Sequence, residues 1–412
     1  MIKHIYTTAG IALMLISVAA RAQSTAFEKV VQEALTSNPA ILSKRSLAAA
    51  ARADLEGASW QRYPTPSVEV NTDNNGVRTS MLRVQQPIWA GGRIDAGIDA
   101  ATSRQQAAEL AIEESRQEVV FKIIAAYVEA VRRQAHQETL ARGLQQHEEL
   151  LALIARRVER EASPRVDQEL AQSRLYEVNN ELSSVKQALS NALAQLTQLA
   201  GMPVSNVEAV QDDRQFALQG RESMLEQTLA RSPALRRLSF EESAAQADVE
   251  AKRAGYKPQV SLRFENAHSS APLNGVPAYS TSRILFVLEA QTGAGLSAFA
   301  GIDAAVARQE AARQQREAAA RELRERFTID WNELQFARDR LADAQRASRS
   351  AREVYESYTR QYTTGRKGWF EVLNTVREST QSEIAALEAS SQATGAWLRL
   401  RLVTGNLKGL YE

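Results

Sequence analysis

The chain contains no cysteine, which excludes a disulfide framework, a thiolate metal site, a cysteine nucleophile and a lipid carried on a cysteine. Proline and glycine are scarce, at 10 and 19 of 412 residues, and aromatic residues make up 6%. With so few breakers and so much Ala, Gln, Glu, Arg and Leu, the composition points to long helices rather than many short elements. Charge of one sign is lacking as well: the formal net charge of +1 argues against a nucleic-acid-binding face. Beyond residue 22 long apolar runs are missing. The best stretch, 121–131, carries Lys122 and Glu129 and falls short of the roughly 18 apolar residues that a spanning helix needs.

Catalytic groupings are missing too. His4 lies at the extreme N-terminus, and His136, His147 and His268 lack the paired spacing of a zinc site. No phosphate-cradling glycine loop or nucleophile elbow appears. The expectation is a protein with no cofactor, no metal and no enzymatic activity.

What is present begins with an export sequence. Lys3 and His4 precede an apolar stretch over 9–20, which closes on Ala20-Arg21-Ala22, a small-x-small cleavage pattern. Residues 1–22 read as a signal peptide and Gln23 as the mature N-terminus, so the expected product is exported and not a lipoprotein.

The rest of the chain repeats itself, the sign of a duplicated architecture. Gly97-Ile98-Asp99-Ala100-Ala101 recurs letter for letter as Gly301-Ile302-Asp303-Ala304-Ala305, 204 positions later. At the same offset Tyr127 and Glu129 meet Trp331 and Glu333, Asp167 meets Glu371, and Gly201 meets Gly405. Upstream the offset is smaller: Ser37-Asn38-Pro39-Ala40 pairs with Arg231-Ser232-Pro233-Ala234. The second copy therefore has extra residues between Pro258 and Gly293. Two repeats are expected, 23–210 and 211–412.

Each repeat reads as helix, strand, turn, strand, long helix, helix. The first helix is expected over about 26–59, stopping before Pro64 and Pro66, and its counterpart over about 223–253. Val68 and Val70 alternate with Ser67, Glu69 and Asn71, and Leu82 and Val84 with Arg83 and Gln85; Asp73-Asn74-Asn75-Gly76 between them is a turn sequence. The same alternation runs through Val260, Leu262 and Phe264 and resumes in 283–289. The expected hairpins are 66–89 and 259–289, and the long helical hairpins 95–200 and 296–405. A helix over 95–160 is roughly 100 Å long. In the return helix Leu175, Val178, Leu182, Val185, Leu189, Ala192 and Leu196 recur in steps of three and four, the 3.5-residue period of a left-handed coiled coil.

Four short strands cannot close a barrel, because about eight are the minimum for a filled interior. Alternating strands in an exported chain nonetheless match the transmembrane barrel pattern, and oligomerisation solves the closure. Three copies give twelve strands, with the helical hairpins hanging from one end as a coiled-coil cylinder. The competing architecture is a periplasmic coiled-coil scaffold or adaptor without a channel; two equivalent hairpins, each preceded by amphipathic strands, favour the duct.

These residues resemble the TolC family of outer-membrane efflux proteins. The resemblance rests on the Asn38-Pro39-Ala40 helix start, the Gln86-Pro87-Ile88-Trp89-Ala90-Gly91-Gly92-Arg93 junction between strand and helix, the Tyr362-x-x-Gly365 tip followed by Glu371-Val372-Leu373, and the repeat ends Gly201 and Gly405. It implies a mainly α protein with a small β part: a homotrimer with a 12-stranded transmembrane β-barrel in outer-membrane lipid and a helical tunnel in the periplasm. The implied partners are a periplasmic membrane-fusion adaptor and an inner-membrane ABC or other pump. The Ser163-Pro164-x-Val166-Asp167 tip and the Trp-Ala-Gly-Gly-Arg junction look more like members serving type I protein secretion than like lipid-anchored multidrug efflux members.

For particular residues the resemblance implies the following. Asp167 is the acid of a polar link closing the aperture, Tyr362 and Lys367 are its partners, and Glu371 with Asn374 rings the constriction. Glu161, Ser163, Pro164, Gly365 and Arg366 form the tips that meet the adaptor. Glu161 stands where the family has a tip glycine, Asn374 where a second acid is common, and Lys367 where arginine supplies a bidentate fork. Trp89 and the region near Phe286 are expected at the membrane interface, with Gly91, Gly92 and Arg93 turning the chain into the helix.

Overall fold

The computed structural model describes residues 26–72, 74, 78–210, 220–269, 278–290 and 297–405. The signal peptide read over 1–22 and most of the Asp73–Gly76 turn lie outside these residues. The elements run α1 (Phe27–Ser37), α2 (Pro39–Trp60), β1 (Thr65–Thr72), β2 (Arg78–Trp89), α3 (Arg93–Glu159) and α4 (Arg165–Ala200). The order then repeats with α5 (Arg221–Arg231), α6 (Pro233–Gly255), β3 (Gln259–Ser269), β4 (Tyr279–Glu289), α7 (Ser297–Thr363) and α8 (Trp369–Thr404).

Each helix expected to be single before the strands is two helices. The break falls before Pro39 and Pro233, whose rings force the preceding Asn38 and Ser232 out of the helical region, to ψ 124° and 117°. The same two residues then start the next helix, Asn38 accepting from Ala40 N at 3.0 Å and Ser232 from Leu235 N at 3.3 Å. Both breaks also close the end of a returning helix. Ser37 Oγ donates to Ala200 O and Asn38 Nδ2 to Leu199 O, while Arg231 donates to Thr404 O at 2.7 Å. These carbonyls have no partner within their own helices, so one dipeptide starts α2 or α6 and caps α4 or α8.

The long helices are uninterrupted over 67 residues in both halves, roughly 100 Å at 1.5 Å per residue. Gly143 does not break α3; a side chain there would press on Thr380 of α8, its oxygen 3.1 Å from the added carbon, so this glycine serves close helix packing. In the second half nine residues separate the two strands against five in the first, and seven separate the second strand from the long helix against three.

The main core surrounds the middle of α3. Val119, Val120, Ile123, Ile124, Tyr127 and Ala130 are buried against Phe27, Val30, Val31 and Ala34 of α1, Ala192 and Leu196 of α4, and Leu398 and Leu400 of α8. Phe27 meets the Tyr127 ring edge-on at 5.3 Å between centroids. Tyr127 donates to Glu208 O at 2.9 Å, and burial pushes its hydroxyl pKa up to about 12. Trp331, its counterpart in α7, is partly buried on the same core and stacks on Phe327. Separate apolar clusters follow towards the far end of the helices, the last one at the hairpin tips.

The four strands form one antiparallel sheet in the order β1-β2-β3-β4. The two hairpins are therefore joined edge to edge through β2 and β3. Among the described residues β1 pairs only with β2 and β4 only with β3, so both outer edges are open.

Candidate functional site

The sheet separates chemistry by face. One face carries, row by row, Val68–Leu82–Asn266–Ser282, Pro66–Val84–Phe264–Ile284, Gln86–Leu262–Phe286 and Trp89–Val260–Leu288. This apolar band extends roughly 20 Å along the strands. The opposite face carries Ser67–Arg83–Glu265–Arg283 and Thr65–Gln85–Arg263–Leu285. The exposure is inverted with respect to a soluble protein. Phe286 is 81% exposed, Val68 73%, Leu288 71% and Ile284 68%, whereas Glu265 is 4% exposed. An apolar face turned out and a charged face covered by its own ion pairs is the division a membrane barrel requires. Open edges are untenable in lipid, so the sheet needs neighbours on both sides.

At the base of the sheet the register of β2 against β3 shifts between Pro87 and Trp89. Gly91 and Gly92 follow at φ +62° and +91°, a left-handed region that only glycine enters without strain. A side chain on Gly91 would also lie 2.9 Å from Lys257 Cβ. Arg93 N donates back to Ala90 O at 3.0 Å and α3 begins. Trp89 is exposed at the end of the apolar band. Phe286 stands one row further into the band, paired with Leu262, while Leu288 shares the row of Trp89.

The hairpin tips lie at the other end of the long helices, and they are built alike. Glu161 N donates to Val158 O and Ala162 N to Arg157 O; 204 residues on, Gly365 N donates to Tyr362 O and Arg366 N to Gln361 O. Glu161 takes φ +60° and Gly365 +75°, and among the described residues Glu161 is the one non-glycine with positive φ. Pro164 and Gly368 precede α4 and α8 in extended conformation. Glu161, Pro164, Gly365 and Arg366 are exposed and Ser163 half-buried, so all five face the solvent beyond the helix ends.

The aperture residues are arranged differently from the expected link. Lys367 Nζ pairs with Glu371 Oε1 at 2.7 Å and lies 4.4 Å from the centroid of the Tyr358 ring. Glu371 Oε2 accepts from Gly368 N at 3.0 Å. Each partner shifts the other: the Glu371 hydrogen bond raises the Lys367 ammonium above its usual value, and Lys367 with the Gly368 amide lowers the Glu371 carboxyl. Tyr362 is buried with Leu150, Ile154, Ala171, Val372 and Leu373, under the Arg157 guanidinium at 4.6 Å. Among the described residues its buried hydroxyl has no hydrogen-bond partner. Asp167, half-buried in the first turn of α4, makes no hydrogen bond or ion pair with Tyr362 or Lys367 within the chain; its own amide N donates to Pro164 O. Asn374 is half-buried one turn beyond Glu371. Sequence reasoning missed Arg157 and Tyr358. The spacing Tyr355-x-x-Tyr358-x-x-x-Tyr362 on one helix face was the available sign for the latter.

Among the described residues no helix is long and apolar enough to cross a membrane, and no group of acidic residues and histidines is placed to hold a metal.

Comparison with known proteins matches this duplicated arrangement. The family model for outer membrane efflux proteins fits the chain twice, over residues 30–202 and 224–406. The chain belongs to the outer membrane efflux protein family. Its fold is shared with the outer-membrane channel OprN at 18% identity and a TM-score of 0.80, covering 92% of this chain and 89% of that one. The outer membrane protein VceC of Vibrio cholerae gives 18% and 0.79, covering 92% and 96%. The open-state MtrE outer membrane channel of Neisseria gonorrhoeae gives 17% and 0.76, covering 92% and 88%. No curated protein matches the sequence. This family member is an outer-membrane efflux channel that extends into the periplasm, a transport protein and not an enzyme. Channels of the family form trimers.

Proposed function

We propose that the protein is the outer-membrane duct of a type I secretion apparatus. It takes cargo at the hairpin tips from a periplasmic adaptor and an inner-membrane ABC pump, and releases it through a trimeric twelve-stranded barrel. The observation that carries the duct is the division of the open sheet into an exposed apolar face and a charged face. Three copies close that sheet with every edge paired, the apolar face in lipid and the charged face towards the lumen. Support for the secretion branch comes from the Ser163-Pro164-x-Val166-Asp167 tip and the Trp89-Ala90-Gly91-Gly92-Arg93 junction. The tip residues Glu161, Ser163, Pro164, Gly365 and Arg366 are the adaptor-contacting surface, and Asp167, Tyr362, Lys367, Glu371 and Asn374 surround the aperture.

Two measurements test this reading. The detergent-extracted protein is expected to run as a trimer and to give discrete conductance steps in a planar bilayer; a soluble, non-conducting monomer overturns the duct. Deletion of the gene is expected to abolish export of a large secreted protein with drug sensitivity unchanged. Drug hypersensitivity with secretion intact assigns the protein to multidrug efflux instead.

A further inference from the structure

The charged sheet face holds more positive charge at mid-height than closing a barrel requires. Arg83 and Arg283 clamp Glu265 from the two neighbouring strands, Arg83 Nε donating to Oε1 at 3.1 Å and Arg283 Nε to Oε2 at 2.8 Å. One carboxylate is thus shared by two guanidinium groups. Arg263, on the same strand as Glu265, comes only to 3.9 Å from that carboxylate. Its firm contact is with a neutral group, Gln85 Oε1 at 3.2 Å, and Gln85 is held in turn by Ser261. Among the described residues the buried Arg263 Nε has no hydrogen-bond partner. Three arginines face Glu265 and, one row away, Glu69, which leaves a surplus of one positive charge per chain.

The remaining carboxylate on this face, Glu289, does not cancel that surplus locally. Glu69 stands one row towards the strand turns, on the outermost strand β1, where Asn71 Nδ2 donates to it at 2.8 Å. Glu289 lies at the far end of β4, six residues from Arg283 and about 20 Å away along the strand, beyond a Debye length of about 8 Å in physiological salt.

We propose that Arg83, Arg263 and Arg283 form a basic belt inside the barrel that binds dissolved multivalent anions, phosphate- or carboxylate-rich. The belt rests on the duct reading, since three copies bring three such clusters around one lumen. Lipid headgroups do not reach it, because the face that meets lipid is the opposite one. Arg263 supplies a cation without a close carboxylate of its own, and the Arg83–Glu265–Arg283 clamp holds the neighbouring cations in fixed positions. Guanidinium forks match phosphate and carboxylate geometry, and a narrow lumen walled by protein concentrates the field.

The test is block of the purified, full-length channel in a planar bilayer at low salt by inorganic tripolyphosphate, added on the side of the strand turns. Anion added there reaches the belt before the distant hairpin tips. The wild-type steps are expected to be blocked, and the block to weaken as salt is raised. Glu265→Gln, which uncovers two arginines, is expected to lower the blocking concentration several-fold; Arg263→Gln is expected to raise it several-fold. Opposite shifts from two substitutions on one strand are not produced by a general loss of fold. Arg283→Gln, also expected to weaken block, stands in if Arg263→Gln does not assemble. Channels that conduct but whose block is identical in all variants, or is indifferent to salt, overturn the belt and leave the duct standing. Absence of any conductance from the wild type overturns the duct, and the belt with it.

Discussion

Glu161 holds a backbone conformation that its side chain makes costly. The left-handed region costs a side-chain-bearing residue roughly 1–2 kcal/mol, and the corresponding turn of the second hairpin uses Gly365 in the same hydrogen-bond pattern. Glu161→Gly is expected to stabilise the first tip by about 1 kcal/mol, less than the full relief because glycine also frees the unfolded chain. Amide exchange at residues 158–162 should then slow by about fivefold; unchanged or faster exchange would show that Glu161 is not strained there. This position was legible in the sequence, because aligning the two halves puts Glu161 opposite Gly365. The surroundings of Tyr362 were not. Its burial depends on Leu150, Ile154 and Arg157 of the other hairpin, and contacts between elements more than 200 residues apart leave no trace in local spacing. Lys367 and Glu371 are an i,i+4 pair visible in the sequence, yet the resemblance directs Lys367 to Asp167. In the single chain the nearer carboxylate holds it.

At the scale of elements, α3 and α4 are coupled through two histidines that packing keeps neutral. His147 is buried and His136 half-buried on α3, and desolvation lowers both below the usual imidazole value. Neither is rescued by its neighbours. Arg174 opposes and Glu177 favours a charge on His147; Glu181 and Glu388 favour one on His136, against Arg132 and Arg133. A histidine whose folded pKa is depressed contributes its full stability above its unfolded value near 6.5. That contribution is lost as pH falls through 6.5 towards the folded pKa, since the unfolded chain then binds the proton more readily. The helical hairpin is therefore expected to lose heat stability between about pH 7 and pH 5. His147→Leu should flatten that slope, as read by the apparent Tm of the trimer at each pH; a slope identical to wild type would remove His147 from the effect. Helix and strand periods were legible for the long elements, where one pattern persists over many turns. The breaks at Asn38-Pro39 and Ser232-Pro233 were hidden because the apolar period of α1 runs up to the break. The pairing of β2 with β3 could not be read at all, since strands this far apart in the chain are brought together only by packing of α3 on α6.

At the scale of the whole molecule, the proposed basic belt at mid-barrel and Glu371 at the tips lie at opposite ends of helices roughly 100 Å long. With Glu371 at the aperture of a trimer, as proposed, its carboxylate is repeated around the opening, and rings of carboxylates make such constrictions cation-selective. Here each Glu371 is held by its own Lys367, and Asn374 adds no charge one turn further on, so the tip ring is close to neutral at rest. Lys367→Ser removes the cation and leaves the carboxylate. It is expected to raise single-channel conductance and to move the reversal potential in a salt gradient towards cation selectivity, because three uncompensated charges then line the narrowest section. The Tyr362 hydroxyl has no hydrogen-bond partner among the described residues of one chain, and a buried unsatisfied hydroxyl costs about 1–3 kcal/mol. Adding Tyr362→Phe therefore removes nothing from the chain's own stability, and a further rise in conductance in the double variant reports a bond that this hydroxyl makes across the subunit boundary. Conductance and selectivity unchanged in Lys367→Ser would place Glu371 outside the aperture, and a double variant no more conductive than the single one would confine Tyr362 to packing the tip.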